Sequence, residues 1–456
     1  MDYIRLIART FSTNFFRGET SGFTKTTAMT NKRSPHTQVL SCNPSSISFS
    51  ASNALEVSSP STLEALKSAA KILVDQRQVV VFPTETVYGL GANTLDPEAV
   101  RLIFSTKGRP ADNPLIVHVS SIEMLRSILP KDYTISRTYH KLMDAFWPGA
   151  LTLIFPADTS IVPPIISANL PNVAVRMPSH PVARALIEVA GVPLAAPSAN
   201  SSGKPSPTRA EHVMRDLGVD GKVSLVLDGG PCQIGLESTV VDGLGEDGAI
   251  RVLRPGGVTV EDLEKVLAEG IQEGEDVPKV LVYRRDYRDE AMEHTPTTPG
   301  MKYRHYSPSV PVVLVHIREV SPQPVQTSPR TEIEVLLQSL KETYATEENS
   351  STFKFGILAP SDSPLAQLSS SISSATLYAL GTLSDPATSA SRLFDGLLSL
   401  EKDGVNIILA EAIEEEREGL AFMNRIRKAA EETRSLTLPE NAPKGAVSLD
   451  KTQNGL

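Results

Sequence analysis

The residue types that could do chemistry in this chain are cations set beside hydroxyls. Lys107 and Arg109 straddle Gly108 in "STKGRPADNPLIVHV", Arg176 stands inside the apolar "NVAVRM", and Arg254 follows "RVL". An arginine offers phosphate or carboxylate oxygens a bidentate fork, and a lysine offers a point charge. Two cations at a helix end could equally do no more than offset its C-terminal dipole. Arg176 is harder to dismiss. An unpaired guanidinium in an apolar strand is costly, so it must face an anion, either an internal carboxylate or a bound one. "PTETVYGL", "APSANSSGKPSPT" and "GLESTVVD" add Thr86, Ser198, Ser206, Ser238 and Thr239 at strand ends or in loops rich in Pro and Gly. Such segments serve as plain turns or supply neutral hydrogen-bond donors to a polyanion. His118 in "PLIVHV" has two readings of its own, a satisfied sheet residue or a ligand contact.

Familiar nucleotide motifs do not account for these groups. No G-x-x-x-x-G-K-[ST] is present, so a bound nucleotide would not use a P-loop. "GLGEDG" at 243–248 fits G-x-G-x-x-G only formally: it lies between strand-like runs and reads as a hairpin loop, whereas the dinucleotide fingerprint needs a helix after it. "GLGANT" at 89–94 lacks the third glycine. A net charge of −9 argues against a surface built wholly for nucleic acid, so any phosphate binding is focal. Cys42 and Cys232 are too few and too far apart for a disulfide framework or zinc site, which fits a reducing compartment.

The elements that must position these residues begin near residue 60. "STLEALKSAAKILVDQRQ" reads as a helix running into the strand-like "VVVFPTETV". "DPEAVRLIFSTKG" is a second helix with a capping-type start and a terminal glycine. Mixed strands and helices continue to about residue 265, which predicts an α/β or α+β domain of roughly 200 residues. Residues 1–59 read as an extension. "MDYIRLIARTFSTNFFRG" puts Ile4, Ile7, Phe11 and Phe15 on one helical face among arginines, which resembles a mitochondrial presequence; disorder is the competing reading, and Met29 offers a second start. "SCNPSSISFSASN" is linker-like in composition. The longest apolar runs fall well short of the roughly 20 residues that cross a bilayer, so no membrane association is expected and the cytoplasm is the expected compartment.

Seven segments, "PTETVYGLG", "KGRPADNPL", "FWPGALTLI", "VAVRMP", "PSANSSGKPSPT", "GLESTVVD" and "LRPGG", resemble in order and rough spacing the threonylcarbamoyl-adenylate synthase family, with its YrdC-like fold. The similarity covers about residues 60–265. "TPGMKYRHYSP" at 298–308 resembles the linker of the two-domain members. After it, strand-like "VPVVLVHI", "FKFGILA", "ATLYALG" and "VNIILAEA" alternate with helical stretches, which argues a small Rossmann-like α/β unit, and "GLAFMNRIRKAAEE" fits an amphipathic terminal helix that resembles the family's ending. The expected organisation is an extension at 1–59, a YrdC-like domain with a twisted mixed sheet and concave cleft at 60–265, a linker with a lid motif at 266–309, a C-terminal domain at 310–437 and a tail at 438–456.

The resemblance implies an enzyme that condenses L-threonine, ATP and bicarbonate or carbon dioxide into threonylcarbamoyl-AMP and pyrophosphate, for the tRNA threonylcarbamoyl-transfer machinery. By the same similarity Thr86, His118, Arg176, Ala196 and Ser238 hold threonine. Arg109, Asn113, Asn172, Ser198, Ser206 and Arg254 hold ATP, with Lys107 beside its phosphates and Lys107 and Arg109 as the catalytic pair. His305 and Tyr306 either cover the nucleotide as a lid or pack between domains. Mg²⁺ is expected with the triphosphate, though no carboxylate cluster marks protein ligands. The alternative function is a double-stranded RNA-binding module on the same fold, which would need further exposed Lys and Arg and a steep salt dependence. A carbamoyl-transfer role like that of YrdC-like domains in hydrogenase maturation lacks its accompanying zinc-finger cysteine pairs here.

Overall fold

Continuous apolar runs of β-branched and aromatic residues form strands buried on both faces, and "VVFP" at Val80–Pro83 is buried at all four positions. In the computed structural model, residues 36–50, 52–270, 276–288, 305–320, 329–370 and 372–439 are described. Among the described residues, thirteen strands lie before residue 289: β1 (Gln38–Ser41), β2 (Ile47–Phe49), β3 (Leu55–Val57), β4 (Val80–Pro83), β5 (Tyr88–Asn93), β6 (Ile116–His118), β7 (Leu151–Pro156), β8 (Asn172–Arg176), β9 (Leu194–Ala195), β10 (Leu225–Asp228), β11 (Thr239–Asp242), β12 (Ile250–Arg254) and β13 (Val280–Val282). Eleven of them make one mixed sheet in the order β1-β10-β4-β5-β9-β6-β8-β7-β11-β12-β13, and β2 and β3 form a separate hairpin.

Helices cover both faces of this sheet. Pro60–Val74 and Pro181–Ala190 pack together over Phe82, Leu194 and Leu227. Pro97–Lys107, Arg137–Phe146 and Val260–Ala268 bury their apolar sides in the larger core around Leu90, Val117 and Phe155. The helix starts follow from their caps. Ser59 accepts the Thr62 N–H, and Asp96 accepts those of Glu98 and Ala99, each pairing an otherwise orphaned donor. Gly108, at φ +63°, ends Pro97–Lys107 in the left-handed conformation that glycine tolerates. The "GLGEDG" segment joins antiparallel β11 and β12, as its hairpin reading predicts, while "GLGAN" belongs to β5. Gly91 there is obligatory, because a Cβ would lie 2.5 Å from the Phe82 ring.

Three expected boundaries move. Order begins before residue 60: β1 pairs in parallel with β10 from Gln38↔Leu225 to Ser41↔Asp228. The Ser-rich stretch is not a linker, since Asn43 caps a short 3₁₀ turn and donates its own N–H to Thr62 Oγ1 at 3.1 Å. Side-chain-to-backbone bonds of Ser, Thr and Asn order such a segment without apolar side chains. Within 266–309, β13 extends the main sheet beside β12, so part of the supposed linker belongs to the first domain. The presequence reading of "MDYIRLIARTFSTNFFRG" lies outside the described residues.

The C-terminal unit is a fully parallel five-stranded sheet, β14 (Val312–Val320), β15 (Phe355–Ala359), β16 (Ala375–Ala379), β17 (Ile407–Glu411) and β18 (Glu432–Pro439), in the order β16-β15-β17-β14-β18. Helices such as Pro386–Lys402 and Glu418–Ala429 cover it. This is the Rossmann-like alternation expected. The expected closing helix is Glu418–Ala429, but β18 follows it and runs to Pro439, past the expected start of the tail. Among the described residues no helix is long and apolar enough to cross a membrane.

Candidate active site

Strand ends converge on one cavity of about 550 Å³, its open mouth included, lined by residues that include Thr84, Thr86, Arg109, His118, Arg176, Ala196, Ser198, Glu237, Ser238, Arg254, His305 and Tyr306. Register explains the grouping. Parallel β6 and β8 align His118 with Arg176, antiparallel β7 aligns Thr152 with Arg176, and β11 meets β12 at Val240↔Arg254. After β4 the chain turns on Thr84, whose Oγ1 accepts the N–H groups of Thr86 and Val87 and donates to the Val87 carbonyl at 2.6 Å.

Arg176 is fixed from three directions. Its Nε donates to the Gly149 carbonyl at 3.1 Å and its Nη1 to Thr86 Oγ1 at 2.9 Å; Nη2 donates to Glu85. The anion that strand burial demanded is therefore an internal carboxylate. Glu85 also accepts the Ser179 N–H at 3.1 Å. His118 Nδ1 donates to the Ile116 carbonyl at 3.2 Å. Burial, and then the Arg176 charge, lower its pKa to about 3, so the imidazole is neutral near pH 7. Ser238 Oγ lies 2.7 Å from Thr152 Oγ1.

Two further guanidiniums, Arg109 and Arg254, line the same cavity. Arg109 holds the Asn113 and Pro114 carbonyls through Nε and Nη2, at 3.2 and 2.9 Å. Arg254 reaches the Ser238 carbonyl through Nη2 at 2.9 Å. Burial and then the Arg254 charge lower Arg109 to about 9, and burial chiefly lowers Arg254 too. Cations crowded out of water in this way are stabilised by an anion between them. Glu237 is the one carboxylate among the described lining residues. Its Oε1 accepts Ser206 Oγ at 2.9 Å and its Oε2 accepts Arg425 Nε at 3.1 Å.

Four expected site residues stay outside the lining. Lys107 turns behind the cleft and donates to the Ser198 and Asn200 carbonyls, bracing the loop rather than entering the cavity. Ser206 acts on Glu237. Asn113 lies beside Arg109, and its buried Oδ1 has no partner among the described residues. Asn172 opens β8 four residues before Arg176, about 13 Å away along an extended strand. His305 and Tyr306 do line the cavity, yet Tyr306 also packs on Phe394 with ring centroids 5.2 Å apart, so covering and packing coincide. Glu237 and Arg425 were missed as site residues. Glu237 was visible inside "GLESTVVD" beside Ser238, whereas Arg425 read only as part of a terminal amphipathic helix.

Residues 73–256 match the family model described as "Telomere recombination", and residues 258–431 match the model "Threonylcarbamoyl-AMP synthase, C-terminal domain". The threonylcarbamoyl-AMP synthase of Pyrococcus abyssi is 42% identical over 358 residues, 78% of this chain and 92% of that protein. The chain belongs to the threonylcarbamoyl-AMP synthase family. The Schizosaccharomyces pombe member is 41% identical over 81% of this chain and 89% of its own. The crystal structure of P. abyssi Sua5 complexed with L-threonine superposes with a TM-score of 0.65 at 35% identity, covering 87% of this chain and 99% of that one. Both domains fall inside these matches, so this is a two-domain member of a nucleotidyltransferase-type enzyme family.

Proposed function

We propose that the cleft joins L-threonine, carbon dioxide drawn from bicarbonate, and ATP into threonylcarbamoyl-AMP and pyrophosphate, with the two substrates on opposite sides of it. The observation that supports this division is the set of buried guanidiniums: Arg176, aligned with neutral His118 across β6 and β8, and the mutually repelling pair Arg109 and Arg254. Threonine's carboxylate pairs with Arg176, near Thr86 and Ser238, and Ala196 supplies apolar wall. The triphosphate lies against Arg109 and Arg254, with Ser198 in contact. The P. abyssi relative was crystallised with L-threonine, which supports threonine as one of the substrates.

The amine nitrogen bonds to the carbon of carbon dioxide and gives up a proton. A carbamate oxygen then attacks the α-phosphorus, the bond to the bridging oxygen breaks, and pyrophosphate leaves with that electron pair. No protein nucleophile is needed, because positioning and charge stabilisation carry such transfers. Tyr306 and His305 exclude water from the reacting atoms. Burial, followed by the neighbouring cations, lowers His305 to about 3, so it adds no charge.

Magnesium accompanies the triphosphate as part of the substrate. Among the described residues no group of three His, Cys, Asp or Glu side chains could hold an ion, and Glu237 is already committed to Ser206 and Arg425, so these residues do not fit a protein-held metal. The RNA-binding alternative gains nothing from the geometry. The site arginines are buried, whereas phosphate backbones need accessible cations. The product's consumer is the tRNA threonylcarbamoyl-transfer machinery. The test is pyrophosphate release by the full chain with MgATP and bicarbonate, with and without L-threonine and with serine as control. Threonine-dependent release with a threonylcarbamoyl-AMP product supports the reading, and no release from folded, ATP-binding protein overturns it.

A further inference from the structure

Arg425 is the largest side chain buried to below 2% exposure, and it comes from the C-terminal domain, in the helix Glu418–Ala429. It crosses into the catalytic domain at two points. Nε donates to Glu237 Oε2 at 3.1 Å, and Nη1 donates to the Pro255 carbonyl. Glu237 immediately precedes Ser238, and Pro255 immediately follows Arg254. One guanidinium therefore ties together the two backbone segments that carry these cavity-lining residues. The chains are already in close approach there, since a Cβ on Gly256 would lie 2.3 Å from the Glu237 carbonyl oxygen. The same guanidinium lies 6.0 Å from the centre of the Tyr306 ring.

We infer that Arg425 is a positioning residue for the nucleotide side of the cleft, acting through Glu237. This rests on the reading that Arg109 and Arg254 receive the triphosphate. A carboxylate facing that cavity opposes a polyanion and competes with it for Arg254. Arg425 answers both effects by supplying a fixed counter-charge on the side of Glu237 away from the cavity. It also holds Oε2 in place, so that Oε1 can order Ser206 and the carboxylate is drawn off Arg254. The C-terminal domain then completes the ATP site while touching no substrate atom. Arginine suits the task because its fork spans a carboxylate and a carbonyl at once, which a lysine ammonium on a flexible stem does not. Nη2 of Arg425 is buried without a partner among the described residues, so the brace is fastened at two of its three nitrogens.

The experiment uses the full chain as wild type, Arg425→Met, Arg425→Lys and the double variant Arg425→Met with Glu237→Gln. MgATP and L-threonine affinities are read separately by calorimetry, and KM for each by pyrophosphate release. Arg425→Met should weaken ATP about tenfold or more while threonine affinity changes less than about twofold, and Arg425→Lys should fall between. Glu237→Gln in the Arg425→Met background should recover most of the lost ATP affinity, because the amide no longer captures Arg254. A general loss of packing would weaken both ligands alike and would not be rescued by that second change. Unchanged ATP affinity in Arg425→Met, or equal loss of both ligands without rescue, overturns the inference. If Arg425→Met does not fold, Arg425→Lys decides by the same ATP-against-threonine split. Wild-type protein that fails to bind MgATP would sink the underlying function instead, which keeps the two failures apart.

Discussion

Glu237 in the cleft and Glu411 at the end of β17 are the same residue in nearly equal burial, and their protons behave oppositely. Burial pushes Glu237 up, but Arg425 and Arg254 outweigh it and bring the carboxyl down to about 2. Burial pushes Glu411 up to about 7, because its partners are neutral donors, the Ser363 hydroxyl and the Leu365 N–H, with Asp362 adding repulsion. The difference lies in the surroundings: one region is built to carry negative charge out of water and the other is not. Glu411 closes β17 and Glu237 stands just before β11, each at the end of a sheet strand, so architecture alone does not mark an anion site.

The comparison breaks most visibly if a guanidinium is removed from the cleft. Arg176→Met would leave Glu85 buried without its counter-charge, at a cost of about 3–5 kcal/mol in denaturant unfolding, together with loss of threonine binding. Arg176→Lys, which keeps the charge, should recover part of the stability and little of the threonine affinity. Full stability in Arg176→Met would show that Glu85 tolerates burial as Glu411 does, and the contrast would collapse.

A pH titration tests the other member. The folded pKa of Glu411, about 7, lies above its ordinary value of 4.5, so the folded state holds the proton more tightly. That contribution is full below about pH 4.5 and is lost as pH rises through about 7, amounting to about 3 kcal/mol. Glu411→Gln should remove this slope and stabilise the protein above pH 7 with ATP affinity unchanged. Glu237 acts in the reverse sense: its contribution is present above about 4.5 and is lost as pH falls toward about 2. An unfolding curve with no Glu411-dependent change between pH 5 and pH 8 would contradict the assigned environment.

Within the ligand sites the effects are smaller. Arg109→Ala should weaken ATP by about 2 kcal/mol, the loss of charge-assisted bonds, and leave threonine affinity near wild type. Equal loss of both ligands would sink the two-sided cleft.

The two acids also show what was legible before the fold was known. Arg176 announced a buried anion because an apolar strand surrounded it. Its partner Glu85 lies 91 positions away, and only the sheet brings the two together. Strand β1 was hidden for the opposite reason: its side chains are mostly exposed and its order comes from backbone pairing with β10, which composition does not record. The helix bearing Arg425 was readable from its apolar spacing. That Arg425 points across a domain boundary to Glu237, 188 positions earlier, depends on how two cores dock, and residue pattern is silent on that.

The mildest perturbation separates the two roles that coincide in Tyr306. Burial, with the Glu237 charge next, raises the pKa of its hydroxyl to about 12, so it stays a neutral donor beside Glu237 throughout the working range. Its ring packs on Phe394 in the C-terminal core. Tyr306→Phe removes only the donor and should cost about 1 kcal/mol, seen as a several-fold rise in KM for ATP with unchanged unfolding. Tyr306→Ala removes the ring as well and should lower stability by about 3 kcal/mol or more, along with turnover. If Tyr306→Phe leaves the ATP KM unaltered while Tyr306→Ala abolishes activity, the residue serves the cleft through packing, and Glu237 is held for the nucleotide by Ser206 and Arg425 alone.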